Sequence, residues 1–143
     1  MARPHREARP IRLRLLIADD HRLFAQALSA AITSEWLEVV GIAGSGRETV
    51  DMALALDPDV VLLDLEMPDL DGFEAMQLLR EHGSEVTMIV LTGSDGPDRR
   101  RRARELGAKA FLTKTQSIDE LIDSVRAAAA LARAFREGQP PEL

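Results

Sequence analysis

The sequence contains no cysteine, which excludes disulfides, thiolate nucleophiles and zinc–thiolate sites. This absence is compatible with a cytoplasmic protein, which is the location we expect. No apolar run approaches the roughly 18 residues that a membrane span requires. The polar, arginine-containing stretch 1–10 also lacks the apolar centre of a secretory signal. With 143 residues, of which 45% are hydrophobic and 29% charged, the chain is expected to form one globular domain without a membrane partner.

Lysine is scarce as well, because Lys109 and Lys114 are the only lysines among 18 basic residues. A lysine at a special position is informative in such a chain, since its compact ammonium acts as a point charge that the planar guanidinium of arginine does not reproduce. The formal net charge is -6. We therefore expect no direct binding of nucleic acid by this segment.

Short apolar runs alternate with amphipathic stretches from Leu13 onward. The runs predict buried strands at Leu13–Ala18, Val39–Ala43, Val60–Leu63, Val86–Leu91 and Ala110–Leu112. The amphipathic stretches predict helices at His21–Ile32, Arg47–Leu56, Asp71–Arg80, Asp98–Leu106 and Ile118–Arg136. This alternation predicts an α/β fold in which helices cover both faces of a doubly wound parallel sheet, in a three-layer sandwich.

The ends of the chain differ from this pattern. Residues 1–10 carry two prolines and no periodicity, so we predict a flexible N-terminal arm. The folded domain is expected to span residues 11–136. Residues 137–143 contain Pro140 and Pro141, which prevent a helix from continuing, and are predicted to form a C-terminal tail or linker.

Polar residues follow the predicted strands at their carboxyl ends. Asp19 and Asp20 follow the first strand, Asp64 ends the third, Thr92 ends the fourth and Lys114 follows the fifth. In a parallel sheet these ends meet at one edge, which is where open α/β sheets bind ligands. Three carboxylates in one pocket repel each other unless a cation is present. Oxygen ligands favour Mg²⁺, and the absence of thiolates or clustered histidines disfavours zinc.

These residue types also suit phosphoryl transfer. A carboxylate can act as a nucleophile and form an acyl phosphate, and Asp64 is favoured because it ends a central strand. Mg²⁺, Lys114 and the Thr92 hydroxyl can stabilise the phosphoryl oxygens. Each residue alone has an ordinary structural explanation, such as a helix cap, a strand residue or a surface cation. Their convergence at one edge favours the functional interpretation.

The segments LLIADDH, VVLLDLEMPDLDG, IVLTG and GAKAFLTK resemble, in order and spacing, the signature blocks of response-regulator receiver domains. The resemblance extends from about Leu13 to Ala134, and the DDH opening together with the Lys-Thr ending is most similar to the NarL/FixJ-type subgroup. It implies that residues 11–136 form a receiver domain with the flavodoxin-like (βα)5 fold and strand order 2-1-3-4-5.

Site residues follow from the resemblance position by position. It implies that Asp64 is the phosphoacceptor and that Lys114 contacts the phosphoryl group. Asp19 and Asp20 are implied to hold Mg²⁺ together with Asp64 and the backbone carbonyl of Glu66. The acidic side chain of Glu66 lies beside this site, and we predict that it alters the lifetime of the acyl phosphate.

Two further residues match switch positions of the family. Thr92 resembles the switch hydroxyl and Phe111 the switch aromatic, although a phenylalanine at this position could equally be an ordinary core residue. Thr115 departs from the family because many members have proline after the lysine. A cis bond before a residue other than proline costs roughly 3–4 kcal/mol, so the loop geometry at Lys114–Thr115 is left open by the sequence.

The implied function is a two-component switch rather than an enzyme: a protein that catalyses only its own phosphorylation and dephosphorylation. Its implied partners are a sensor histidine kinase and, through a C-terminal output domain absent here, DNA. Two alternatives stay open. Asp64 followed by Glu66 superficially fits a haloacid-dehalogenase-type phosphatase, and the chain could also be a receiver-like binding module that works without phosphorylation.

Three other features have simpler explanations. The arginine run from Arg99 to Arg104 predicts a solvated helix face, although it could steer an acidic partner. His21 is expected to be a first-turn helix residue rather than a metal ligand. In the last helix, Leu121, Val125, Ala128, Leu131 and Phe135 lie near helical spacing. One side should cover the sheet, and an exposed far end could support a homodimer.

Overall fold

A computed structural model describes residues 12–136, so the predicted N-terminal arm (1–10) and C-terminal tail (137–143) lie outside the described residues. The strands are β1 (Leu13–Ala18), β2 (Leu37–Ala43), β3 (Val60–Leu63), β4 (Thr87–Thr92) and β5 (Ala110–Thr113). The helices are α1 (Arg22–Ile32), α2 (Gly46–Leu56), α3 (Gly72–Glu81), α4 (Pro97–Glu105) and α5 (Ile118–Arg136). Every predicted element exists, with bounds that differ by at most two residues.

The five strands form one sheet in the order β2-β1-β3-β4-β5, and all neighbouring pairs are parallel. This arrangement confirms the predicted doubly wound fold. Because β1 and β3 are central and buried on both faces, neither shows the polar alternation of a half-buried strand: β3 is apolar throughout, and Arg14 is the one polar residue of β1. Their carboxyl ends lie side by side, since Ala18 pairs with Leu63 in the register.

Two hydrophobic layers cover the sheet, one on each face. On one face, Leu15 and Ile17 of β1 belong to a core cluster with residues of α1 and α5. On the other face, Leu16 and Ala18 belong to a cluster with residues of α2, α3 and α4. The period of two along β1 therefore feeds both layers, and the predicted three-layer sandwich is confirmed.

Several helix ends follow local sequence signals. Pro97 begins α4, where its missing N–H removes no intrahelical hydrogen bond. Asp71 caps α3 in a reciprocal capping box with Glu74. After α4, Gly107 adopts φ of 103°, which a residue with a Cβ rarely tolerates. These signals fix the beginnings of α3 and α4 and the end of α4.

The long helix α5 buries Leu121, Val125, Ala129 and Ala132. One side covers the sheet and Leu131, near the far end, is 48% exposed, as expected, but the buried line passes through Ala129 and Ala132 instead of Ala128 and Leu131. Small alanines allow the helix to approach the sheet, and Leu131 lies on its outer side. Within residues 12–136, no helix combines the length and apolar character needed to cross a membrane.

Candidate functional site

The polar residues at the strand ends lie together at the carboxyl edge of the sheet. Asp19 directly follows β1, Asp64 directly follows β3, and each is only 3% exposed. Thr92, the last residue of β4, is fully buried. Buried carboxylates are costly unless charged or hydrogen-bonding groups face them. The partners of Asp19 and Asp64 therefore determine what the site can do.

Lys114 is the main partner of both buried carboxylates. It follows β5, and its Nζ lies 2.6 Å from Asp19 Oδ2 and 3.0 Å from Asp64 Oδ2. Burial of the ammonium acts to lower the pKa of Lys114, but hydrogen bonds to Asp19 and Asp64 raise this pKa above its usual value of 10.5. Lys114 is thus charged at neutral pH. Its stabilising contribution is fully present below pH 10.5 and is lost only as the pH rises through the raised pKa of the folded chain.

His21 also reaches into the cluster, which the sequence did not lead us to expect. It is the N-cap of α1 rather than a first-turn residue. Its Nδ1 lies 3.0 Å from Asp19 Oδ1 and 3.5 Å from Asp20 Oδ1. These acceptors assign the hydrogen to Nδ1. The Lys114 Nζ, 3.3 Å from the same nitrogen, is then a neighbouring cation and not a hydrogen-bond donor to His21.

Asp19, Asp20 and Asp64 each offer a carboxylate oxygen, and these oxygens lie with a ring nitrogen of His21 within 4.8 Å of one another. Three carboxylates and the Lys114 ammonium leave two negative charges at this edge. A divalent cation matches that charge, and the carboxylate oxygens are the hard ligands that Mg²⁺ prefers. The donor set present therefore fits Mg²⁺.

The loop between β3 and α3 folds back tightly over Asp64. The Gly72 N–H donates to the Leu65 carbonyl at 2.8 Å, and a Cβ at Gly72 would overlap the Asp64 carbonyl oxygen. Glycine is required by this close approach. The Glu66 N–H donates to Asp64 Oδ1 at 3.2 Å, so the loop backbone orients the carboxylate while the Glu66 side chain is exposed.

The two predicted switch residues lie further along the same edge. Thr92 Oγ1 accepts a hydrogen bond from the Ser94 N–H at 3.2 Å. Phe111 is half-buried, and the Arg100 guanidinium carbon lies 4.8 Å from its ring centroid. The described peptide bonds are all trans, which includes the bond between Lys114 and Thr115.

Comparisons with known proteins agree with this geometry. The family described as "Response regulator receiver domain" matches residues 15–126. The transcriptional regulatory protein LiaR of Bacillus subtilis is 38% identical over 117 residues, covering 81% of this chain and 56% of LiaR. A protein-glutamate methylesterase/protein-glutamine glutaminase of Archaeoglobus fulgidus is 38% identical over 103 residues, covering 71% of this chain and 30% of that protein.

Among solved structures, the receiver domain of the response regulator NarL from Mycobacterium tuberculosis superposes with a TM-score of 0.76 and 30% identity. This match covers 85% of this chain and 98% of that one. The chain thus belongs to the response-regulator receiver family, as its motifs predict. Receiver domains are Mg²⁺-dependent phosphoacceptor switches that histidine kinases phosphorylate. Family membership decides against the haloacid-dehalogenase alternative.

The chain spans about half the length of the curated relatives it matches first. Relatives of one receiver family thus carry different names, from transcriptional regulator to methylesterase. The similarity is confined to the receiver domain that these proteins share, so it does not identify the process that the present chain controls.

Proposed function

We propose that Asp64 is the residue of this receiver that accepts the phosphoryl group. The observation that carries the proposal is the contact of the Lys114 ammonium with both buried carboxylates, at 2.6 Å and 3.0 Å. An Asp64 oxygen attacks phosphorus and the donor's leaving group departs with the bonding electron pair. Lys114 is close enough to Asp64 to neutralise charge on the transferred phosphoryl oxygens.

Asp19, Asp20 and Asp64, with the Glu66 backbone carbonyl, are the proposed residues that hold Mg²⁺. When bound, the ion supplies positive charge that offsets the carboxylates and the incoming phosphoryl group. His21 faces Asp19 and Asp20 and holds these carboxylates in place while Lys114 spans Asp19 and Asp64. Burial of Asp19 and Asp64 excludes water and strengthens each of these interactions.

Thr92 and Phe111 are the proposed switch residues. Thr92 is buried at the end of β4, and its hydroxyl would turn towards a phosphoryl group on Asp64. The segment from Ser94 to Arg100 follows directly, and Arg100 covers Phe111. A shift at Thr92 would therefore change the surface formed by α4 and β5. This surface would exist in two conformations, and phosphorylation would change their relative populations.

The partners proposed for this receiver are a sensor histidine kinase as phosphodonor and a reader of the switched surface. Relatives such as LiaR are named transcriptional regulatory proteins, so a DNA-binding output segment outside the 143 residues would be one such reader. A second copy of the chain would be another, and the exposed Leu131 of α5 offers an apolar contact for it.

The test is the mass gained by the purified chain on incubation with Mg²⁺ and a small phosphodonor. The native chain is expected to gain one phosphoryl group, and Asp64→Asn to gain none. Asp69→Asn is the matched control, because it removes an exposed carboxylate from the loop that follows β3 and should leave the gain intact.

A gain retained by Asp64→Asn would transfer the role to another residue. Absence of any gain in the native chain would instead support the binding module that works without phosphorylation. Sustained release of inorganic phosphate from a phosphomonoester would contradict the proposal that the chain catalyses only its own phosphorylation and dephosphorylation.

A further inference from the structure

Two arginines of α4 are held by acidic neighbours. Arg100 donates to both carboxylate oxygens of Asp95, with distances of 2.7 Å from Nε and 3.1 Å from Nη2. Arg101 donates to Asp98 at 2.7 Å. Both pairs are local and exposed to solvent. The charge of these two arginines is therefore matched within α4 and the turn before it.

Arg99 and Arg102 differ from these neighbours. Across the part of the chain that the structure describes, neither forms an ion pair or a side-chain hydrogen bond. The guanidinium carbon of Arg102 lies 4.3 Å from the centroid of the Phe73 ring. This stacking fixes the plane of the guanidinium and leaves its N–H edges open. Arg99 is half-buried in the first turn of α4.

Both unpaired arginines line a cavity of about 470 Å³. Asp20 and Glu66 line the same cavity. Asp20 is a member of the carboxylate cluster, and the Glu66 N–H donates to Asp64 Oδ1 at 3.2 Å. The cavity therefore adjoins the proposed phosphoacceptor, and Arg99 and Arg102 are among the residues that line it.

Of the three acidic residues that line the cavity, Asp20 and Asp71 have other partners, and Glu66 is exposed. The Asp71 carboxylate is taken up by the capping box of α3, where it accepts the Glu74 N–H at 2.8 Å. Asp20 faces His21 and the proposed cation. Arg99 and Arg102 are thus the cavity residues whose side-chain N–H groups have no acidic partner among the described residues. Paired N–H donors of this kind match a carboxylate.

We propose that Arg99 and Arg102 form a subsite for the anionic leaving group of an acyl phosphate donor. This inference rests on the proposed role of Asp64. In the transfer, an O–P bond forms on Asp64 and the P–O bond to the acyl group breaks, so that a free carboxylate leaves with the electron pair. Negative charge grows on the departing carboxylate, and two guanidinium groups beside it lower the barrier.

Phosphoramidate provides the contrast. An O–P bond again forms on Asp64, but the P–N bond breaks and the already protonated nitrogen leaves as neutral ammonia. The guanidinium groups gain nothing from a neutral leaving group. The subsite therefore predicts a preference among donors that is specific to Arg99 and Arg102, whereas a general role of α4 charge would change the donor preference to the same extent in Arg101→Ala.

The experiment compares the rate constants for phosphorylation by acetyl phosphate and by phosphoramidate, at equal Mg²⁺ concentration. Arg99→Ala is expected to lower the rate constant for phosphorylation by acetyl phosphate about fivefold, in line with the loss of one partly exposed charge-assisted contact. Phosphoramidate should be unaffected, and the Arg99→Ala, Arg102→Ala double variant should widen the difference. Arg101→Ala removes the same charge from the same helix outside the cavity, and both donor rates should stay native.

An equal loss with both donors, or the same loss in Arg101→Ala, would overturn the subsite. So would unchanged rates in the double variant, provided its circular dichroism and melting temperature are native. If neither donor phosphorylates Asp64 in the native chain, the proposed function fails instead, and this outcome is distinct from the others.

Discussion

The carboxyl edge of the sheet and helix α4 are both rich in charge, but they balance it in different ways. At the edge, Asp19 and Asp64 are buried, and both are paired with Lys114, which follows β5 and is distant from them in sequence. In α4, Arg100 and Arg101 are paired with acids no more than five residues away and exposed to water.

This difference reflects the dielectric environment of the two regions. A pair in water contributes little, because solvent screens the charges and ordering the side chains costs entropy. A buried pair has a large desolvation cost that only close, multiple partners offset. A chain retains such an arrangement where the charges have a use, and the edge is accordingly the region with the proposed chemistry.

The largest expected effect belongs to Lys114. Lys114→Met should slow phosphorylation of Asp64 about 100-fold, because it removes a preorganised charge from the site of transfer. Lys114→Arg should not restore the rate, since the planar guanidinium cannot occupy the position of a compact ammonium between two carboxylates. Timed mass spectrometry with phosphoramidate measures both. A native rate in Lys114→Met would remove Lys114 from the site.

Metal affinity provides a direct comparison of one buried and one exposed acid. Asp19→Asn should weaken Mg²⁺ binding about tenfold or more, because a charged ligand is lost from the cluster. Asp98→Asn removes an equal charge from α4 and should leave the affinity unchanged. Calorimetric titration with Mg²⁺ checks the pair. Equal weakening in both variants would mean that the overall charge of the domain, and not the cluster, attracts the ion.

Glu66 lies between the two regions, with its backbone at Asp64 and its side chain exposed. Glu66→Gln should lengthen the acyl-phosphate lifetime about threefold, because a carboxylate beside the phosphoryl group both repels it and can orient an attacking water. Loss of the phosphorylated mass over time gives the rate. The idea is excluded if Glu66→Gln and Glu66→Ala both decay at the native rate.

The smallest effect is expected for the exposed pair of Asp95 and Arg100. The hydrogen bond from Arg100, with that from the Gly96 N–H, holds the pKa of Asp95 below its usual value of 3.8. A lowered pKa contributes stability that is present above pH 3.8 and lost as the pH falls through the folded-state value. Asp95→Asn should therefore differ from the native chain in thermal stability only slightly near neutrality, and not at all in strong acid.

Thermal melts of the two chains from pH 2 to pH 7 test this expectation. A difference that persists unchanged in strong acid would show that the effect of Asp95 on stability does not come from its charge.

Much of this architecture is predictable from local signals. The apolar runs of β1 and β3 predict buried parallel strands, and Pro97 and Gly107 mark the ends of α4. Once the strands are known to be parallel, Asp19, Asp64 and Lys114 must share an edge, because successive parallel strands end on the same side. The strand order itself came from the family resemblance.

Other features depended on contacts between distant segments. His21 looks in the sequence like an ordinary residue at the start of a helix. Its contacts with Asp19 and Asp20 are local, but its approach to Asp64, at 4.0 Å, and to Lys114, at 3.3 Å, depends on segments that are distant in sequence. Phe24 lies beneath Lys114, with Nζ 4.7 Å from its ring centroid, for the same reason. The buried line of α5 through Ala129 and Ala132 was set by close packing against the sheet.

The amino-acid sequence by itself determined which elements form and that Asp19, Asp64 and Lys114 meet at the carboxyl edge, because apolar periodicity and chain direction are local properties. Only the tertiary structure decided which charges are paired. Arg99 and Arg100 are adjacent in sequence, yet Arg100 is paired with Asp95, whereas Arg99 lines the cavity beside the carboxylate cluster. The two side chains differ because Arg100 lies within hydrogen-bond distance of the Asp95 carboxylate, whereas Arg99 lies at a cavity that residues of the loop between β3 and α3 also line.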